Sequence, residues 1–174
     1  MFQNLIEKRR SYRKYTDEKV SKEDIEKIVK AGLLAPAGKN NKHWEFIVVQ
    51  KPDLLKKLSN AKPVSAEFIS EASFAVIVCG DSTINPNTWI EDATIAATYM
   101  QLQSEEMGIG SCWVHMRTPT HESGIMSCEF IKSEFNIPQY LSVECVLSFG
   151  YPNETREARE YGDFNKQVHF ETYE

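Results

Sequence analysis

Arg9-Arg10-Ser11-Tyr12-Arg13-Lys14-Tyr15 places four cations, a hydroxyl and two aromatic rings within seven residues of an otherwise acidic chain. Guanidinium groups carry a fixed fork of donors that matches phosphate oxygens bidentately, so this cluster suits the phosphate of a cofactor. The same run also reads as a solvated basic patch, or as cations that complement a helix C-terminus. A second stretch, Ala35-Pro36-Ala37-Gly38-Lys39-Asn40-Asn41-Lys42-His43, combines small residues with an amide side chain. Small side chains at Ala37 and Gly38 let a flat ligand approach backbone N–H groups. Asn40 offers a donor and an acceptor to a heterocycle edge. The alternative there is a plain helix-to-strand turn rich in turn formers.

Other catalytic arrangements find little support. His115 and His121 are six residues apart and share no helix face, and no nearby Cys or acid completes a metal spacing, so no metal is expected. There is no G-x-S-x-G elbow and no Walker loop. Gly108-Ile109-Gly110 lacks a third glycine and follows a helical pattern, which is not a dinucleotide fingerprint. Glu105-Glu106 reads as a solvated helix face. Hydrolase and kinase chemistry are therefore not indicated.

The elements that would position these residues follow from periodicity. Residues 2–9 read as a short helix, and Ser21 caps a second one, with Glu23 and Asp24 in its first turn and Pro36 beyond its end. Trp44 to Gln50 reads as a strand, Pro52 opens a helix, and a short helix is expected over Val64 to Ser70. The continuous apolar run Phe74–Gly80 predicts a buried central strand. Asn87 to Met107 carries Ala93, Ala96, Ala97 and Met100 on one side of a long helix. Strands are expected over Ser111–His115 and Val143–Phe149, with a helix over Glu122–Phe135 between them. Strands and helices that do not strictly alternate predict an α+β layered fold of one domain spanning residues 1–174. In the tail, residues 151–174, Val168, Phe170 and Tyr173 alternate as in an arm that pairs with a sheet edge of another subunit.

Composition narrows the function classes. The net charge of −5 hides an asymmetry: residues 1–57 hold 14 Lys/Arg against 8 Asp/Glu, and the other 117 hold 6 against 17. An acidic whole argues against nucleic-acid binding, while the basic start suits a small anionic ligand or the acidic face of another subunit. The four cysteines include no C-x-x-C pair, which favours buried free thiols over a metal site or disulfide framework. No apolar run approaches a membrane span or a signal peptide, so a cytoplasmic protein with no membrane partner is expected.

In order along the whole chain, these motifs resemble the nitroreductase family of flavin mononucleotide (FMN) enzymes. Arg9-Arg10-Ser11-Tyr12-Arg13-Lys14-Tyr15 matches the family's Arg-Arg-Ser-x-Arg-x-Phe, and residues 35–44 match Ala-Pro-Ser-x-x-Asn-x-Gln-Pro-Trp. Gly108-Ile109-Gly110-Ser111, Gly150-Tyr151-Pro152 and Val168-His169-Phe170-Glu171-Thr172-Tyr173 match three later signatures. The resemblance implies a layered sandwich with a mixed, mostly antiparallel sheet flanked by helices, in a homodimer with swapped terminal arms. It implies that Arg9, Arg10, Ser11 and Arg13, with Arg159 or Arg156, hold the FMN phosphate and ribityl chain. Pro36, Ala37, Gly38 and Asn40 of the other subunit would line the ring system, and the backbone of Trp113, Val114, His115 and Met116 would face its reactive edge. The implied activity is electron transfer from NADH or NADPH to a nitroaromatic, quinone or similar small acceptor by a ping-pong course, with no catalytic side chain. A dehalogenase, oxidase or flavin-cleaving enzyme of the same fold, and a non-enzymatic flavin-binding dimer, are the alternatives. Ala37, Lys42 and His43 depart from the family's Ser, Gln and Pro, and the last two are expected to add charge beside the cleft.

Overall fold

The computed structural model describes residues 2–118 and 123–173. Four strands form one sheet, β1 (Trp44–Val49), β2 (Phe74–Asp81), β3 (Gly110–His115) and β4 (Leu141–Gly150). Their order is β1-β2-β4-β3, and every pairing is antiparallel. The expected parallel component shrinks to an isolated bridge between Ser11 and Ser111. The helices are α1 (Phe2–Lys8), α2 (Lys22–Leu33), α3 (Pro52–Ser59), α4 (Trp89–Glu106), α5 (Ser127–Glu134) and α6 (Phe164–Gln167).

The sheet is covered on both faces, which explains why β2 is apolar without alternation. Ala75, Ile77 and Cys79 face one cluster with Leu55 and Leu58 of α3 and Ile131 of α5. Phe74, Val76 and Val78 face the other, with Ile25 and Ile28 of α2 and Ala93, Ala97 and Met100 of α4. Helices therefore sandwich the sheet as two outer layers, and the small side chains of α4 allow it to pack closely on both α2 and the sheet.

Local signals set the element ends. The Ser21 side chain accepts the Asp24 N–H at 3.1 Å and caps α2. Helix α4 stops where Gly108 takes φ +71°, with Ile109 N–H donating to the Ser104 carbonyl at 2.8 Å and Gly108 N–H to that of Glu105 at 3.0 Å. That Schellman pair turns the chain into β3. The helix expected over Val64–Ser70 is a 3₁₀ turn, Glu67–Glu71, and the one expected from Glu122 begins at Ser127. Glu122 and His121 lie outside the described residues. Between Val78 and Cys79 the β2–β4 register shifts, and the extra residue on β4 is Glu144.

Candidate functional site

The basic segment is laid along the free edge of β3. Ser11 bridges Ser111, and Tyr12 N–H donates to the Ser111 carbonyl at 3.0 Å. Its other side is held by the start of the tail: Thr16 N–H donates to Tyr151, Asn153 N–H donates to Lys14, and Tyr15 bridges Pro152. The buried Tyr15 hydroxyl contacts the Tyr12 carbonyl and the Ser148 hydroxyl, each at 2.7 Å. Gly110 and Gly150 make room for this clamp, since a Cβ at either would stand 2.8 Å from the ring of Tyr12 or Tyr15.

The cations divide by what holds them. Arg10 donates a guanidinium N–H to the Glu157 carbonyl. Arg156 pairs with Glu154 at 2.6 Å, and Glu154 also accepts the N–H groups of Arg13 and Lys14. Burial alone would raise the Glu154 carboxyl, but those N–H groups and Arg156 hold it below its ordinary value. Arg9 and Arg13 have no carboxylate within ion-pair distance among the described residues, and Arg13 lies over the Phe68 ring, 5.8 Å from its centroid. Arg9 is half-buried, and burial, with the nearby Arg159 and Arg10, lowers its affinity for the proton; Glu105 opposes this. An incompletely solvated guanidinium beside two other cations is a site that gains from an anion. Of the two late arginines, Arg159 is the one next to Arg9.

The Cys112 thiol is near both arginines and hydrogen-bonded to Ser11, its pKa raised by burial and drawn back by Arg13, Ser11 and Arg9. Glu105, expected to be merely solvated, is instead half-buried; burial raises its carboxyl while Arg9 and the Arg10 N–H lower it.

Because Ser111 turns its carbonyl away from β4, Trp113 and His115, two and four residues on, also aim N–H and C=O outward. The His115 carbonyl accepts a hydrogen bond from Lys62 Nζ at 3.1 Å. No backbone acceptor among the described residues meets the outward N–H groups of Trp113 and His115. From Ser111 to His115 the strand rises about 13 Å. A ligand that reached from the arginines to these N–H groups must be extended, anionic at one end and rich in acceptors at the other. Val114 and Met116 are core residues; the Val114 backbone alternates inward to pair with Val146 of β4, and the Met116 carbonyl accepts the Cys128 N–H at 2.9 Å, so Trp113 and His115 are the positions whose N–H groups face such a ligand.

The Pro36–Asn40 loop is not part of this cleft. It precedes β1, at the opposite edge of the sheet, three strand spacings or about 14 Å away. Asp92 of α4 pins it: this carboxylate, 3% exposed, accepts the Gly38 N–H at 2.8 Å and the Thr88 hydroxyl at 3.1 Å. Lys39 and Asn40 take φ of +54° and +57°, which turns their exposed side chains away from the body of the chain. His43, expected to add charge beside the cleft, instead has its imidazole buried against the loop's own anchor, with Nε2 3.5 Å from Asp92.

Sequence reasoning missed three residues here, Lys62, Phe68 and Asp92. The first two sit in a segment whose turns give no periodic signal. Asp92 resembled any acid in the first turn of a helix.

Comparison with known proteins fits this geometry. The family model described as "Nitroreductase family" matches residues 6–76 and 60–151. A relative from Archaeoglobus fulgidus named "Putative NADH dehydrogenase/NAD(P)H nitroreductase" is 35% identical over 97% of both chains. The solved structure of an FMN-dependent nitroreductase from Clostridium difficile superposes with a TM-score of 0.90 at 42% identity, covering 97% of this chain and 98% of that one. An iodotyrosine deiodinase from Thermotoga neapolitana is 24% identical over 90% of this chain and 91% of its own. With its motifs collinear from residue 9 to Pro152 and its layers superposing on those of that structure, this chain belongs to the nitroreductase family.

Proposed function

We propose that this chain is an FMN-dependent oxidoreductase that takes electrons from NADH or NADPH and delivers them to a small organic acceptor. The observation that carries the reading is the free edge of β3, with carboxylate-free Arg9 and Arg13 at one end and outward N–H groups at the other. These residues fit FMN: a half-buried cation with no carboxylate at ion-pair distance suits its phosphate, and unmet N–H donors suit its carbonyl and ring nitrogens. Bound FMN would supply the redox chemistry, alternating between nicotinamide oxidation and acceptor reduction in a ping-pong course. Arg9, Arg13 and Arg159 bind the phosphate, and Ser11 lies beside them. The outward N–H groups of Trp113 and His115, within the Trp113–Met116 segment, orient the ring and favour negative charge on it. No side chain is required as an acid or base. The acceptors that suit this reading are nitroaromatics and quinones.

The reading includes a homodimer. The Asn40 loop lies across the sheet from the arginines of its own chain, so Pro36, Ala37, Gly38 and Asn40 complete a site only on a second copy. An apolar groove of about 770 Å³, lined by Phe2, Leu5, Ala31, Leu34, Tyr99 and Leu102, offers a face for that copy. The tail divides at Tyr161, whose hydroxyl donates to Glu7 of its own α1, whereas Phe164, Phe170 and Tyr173 beyond it are exposed and suited to the partner.

Purified protein should be yellow, sediment as a dimer and be bleached anaerobically by NADH or NADPH. A protein that takes up no added FMN would refute the reading. A second reading, a reductive dehalogenase of the same fold, is favoured by the deiodinase relative. It predicts flavin binding with poor turnover of nitroaromatics and quinones.

A further inference from the structure

At the His115 end of the β3 edge lies a cation that the flavin reading does not use. Lys62 is half-buried in the turn after α3, where its N–H donates to the Ser59 carbonyl at 3.3 Å. Its carbonyl accepts from Ser65 and Ala66, so the backbone is fixed on both sides. One of its three ammonium hydrogens goes to the His115 carbonyl at 3.1 Å. No carboxylate pairs with it among the described residues, which leaves two donors of a partly desolvated charge unused.

The neighbouring charges are already settled. Arg117 stands 2.6 Å from Glu144, a carboxylate 2% exposed, so that pair is neutral as a whole. Burial, then Arg117 and Lys62, lowers the His115 pKa below its ordinary value, so the imidazole is neutral at pH 7. Glu91 lies near Glu144 and adds negative charge beyond that pair, so among the described residues Lys62 is the cation at this end without a paired carboxylate. A carboxylate matches the two unused donors of the Lys62 ammonium. Immediately beside it, Val64 is 91% exposed and supplies apolar surface for the body of such a molecule.

The geometry points to Lys62 as the residue that selects the acceptor: its ammonium, held against the His115 carbonyl at the mouth of the cleft, receives the carboxylate of a carboxylate-bearing aromatic or similar flat acceptor. The assignment rests on the flavin reading above and deepens it by naming a substrate class. Lys62 acts by binding and takes no part in electron transfer.

The test compares 4-nitrobenzoate with its neutral amide on flavin-loaded protein. Each is titrated without nicotinamide, following the flavin absorbance band, and each is then used as acceptor. The carboxylate should bind about tenfold more tightly than the amide and show a correspondingly lower KM, the worth of one charge-assisted contact. Lys62→Gln should bring the ratio close to one, and Lys62→Arg should keep most of it. In the unsubstituted protein, added NaCl should weaken the carboxylate and spare the amide, a measurement that does not depend on any variant folding. Yellow protein that shows no preference, or a preference insensitive to salt and to Lys62→Gln, overturns this proposal and leaves the flavin reading standing. A changed NADPH-to-NADH ratio in Lys62→Gln with an unchanged carboxylate preference also overturns it, since the cation would then read the donor. Protein that takes up no FMN overturns both.

Discussion

Replacing Asp92 by Ala tests whether the loop before β1 is held from within its own chain. The carboxylate is buried and receives two hydrogen bonds, the Gly38 N–H at 2.8 Å and the Thr88 hydroxyl at 3.1 Å. A hydrogen bond to a charged acceptor contributes about 1.5–3 kcal/mol. Alanine also removes a buried charge whose desolvation opposes folding, so the two bonds do not add in full. The expected loss is about 3 kcal/mol, which for a chain of this size lowers Tm by about 6–12 °C. Equilibrium urea denaturation of flavin-free protein measures it with ligand linkage removed and, at one fixed concentration for both proteins, with association linkage held equal. Asp92→Asn should recover part of the loss, because its amide oxygen still accepts from Gly38 while its NH₂ meets the Thr88 side. Removing this pin should also weaken FMN retention, even though Asp92 lies far from the arginines of its own chain. Destabilisation of less than about 1 kcal/mol by Asp92→Ala would refute the argument that this carboxylate fixes the loop.

Other perturbations probe the opposite edge of the sheet. Arg9→Ala or Arg13→Ala should weaken FMN retention by about 1.5–3 kcal/mol each, roughly 10- to 150-fold in Kd by fluorescence titration; unchanged affinity in both would mark the cluster as a surface patch. Tyr15→Phe strips a buried hydroxyl from the Tyr12 carbonyl and Ser148, and should cost about 1–3 kcal/mol in urea denaturation, with weaker FMN binding because the basic segment loses its clamp. Burial pushes the Cys79 thiol up to about 12 and raises Cys145 well above its ordinary value, so under native conditions at pH 8 an aromatic disulfide reagent should react first with half-buried Cys128 and reach Cys79 and Cys145 only on unfolding. His115 should titrate below the ordinary histidine value by NMR and move upward in Lys62→Gln, because one of the cations that disfavours its protonation is removed. The sign follows from burial: the folded chain prefers neutral His115, so this residue lowers stability as pH falls through its unfolded value and ceases to do so above it.

The order of the elements was legible because it rests on local rules. Ser21 with Glu23 and Asp24 marks a helix start, Gly108 a helix end, and an unbroken apolar run such as Phe74–Gly80 a strand covered on both faces. The basic cluster itself was legible too, since four cations in seven residues of an acidic chain stand out by composition. What composition does not carry is how non-local contacts divide residues of one type. Arg10 and Arg156 are held by Glu157 and Glu154 of the tail, while Arg9 and Arg13 have no such partner, and nothing in the run of basic residues separates the two pairs. His43 looked like added charge because charge is read residue by residue, but its burial against Asp92 depends on a helix that begins 46 residues later. Lys62 was invisible for the same reason. A lysine in a turn is ordinary until the sheet sets the end of β3 against it, and its meaning then comes from the pairing of Arg117 with Glu144, which leaves it as the cation at that end without a paired carboxylate among the described residues. The charge pattern of this edge is thus written twice: in the arginine-rich motif, where we propose that an anionic cofactor binds, and in the tertiary neutralisation of the other cations, which leaves Lys62 for a second anion. Only the first can be read without the fold.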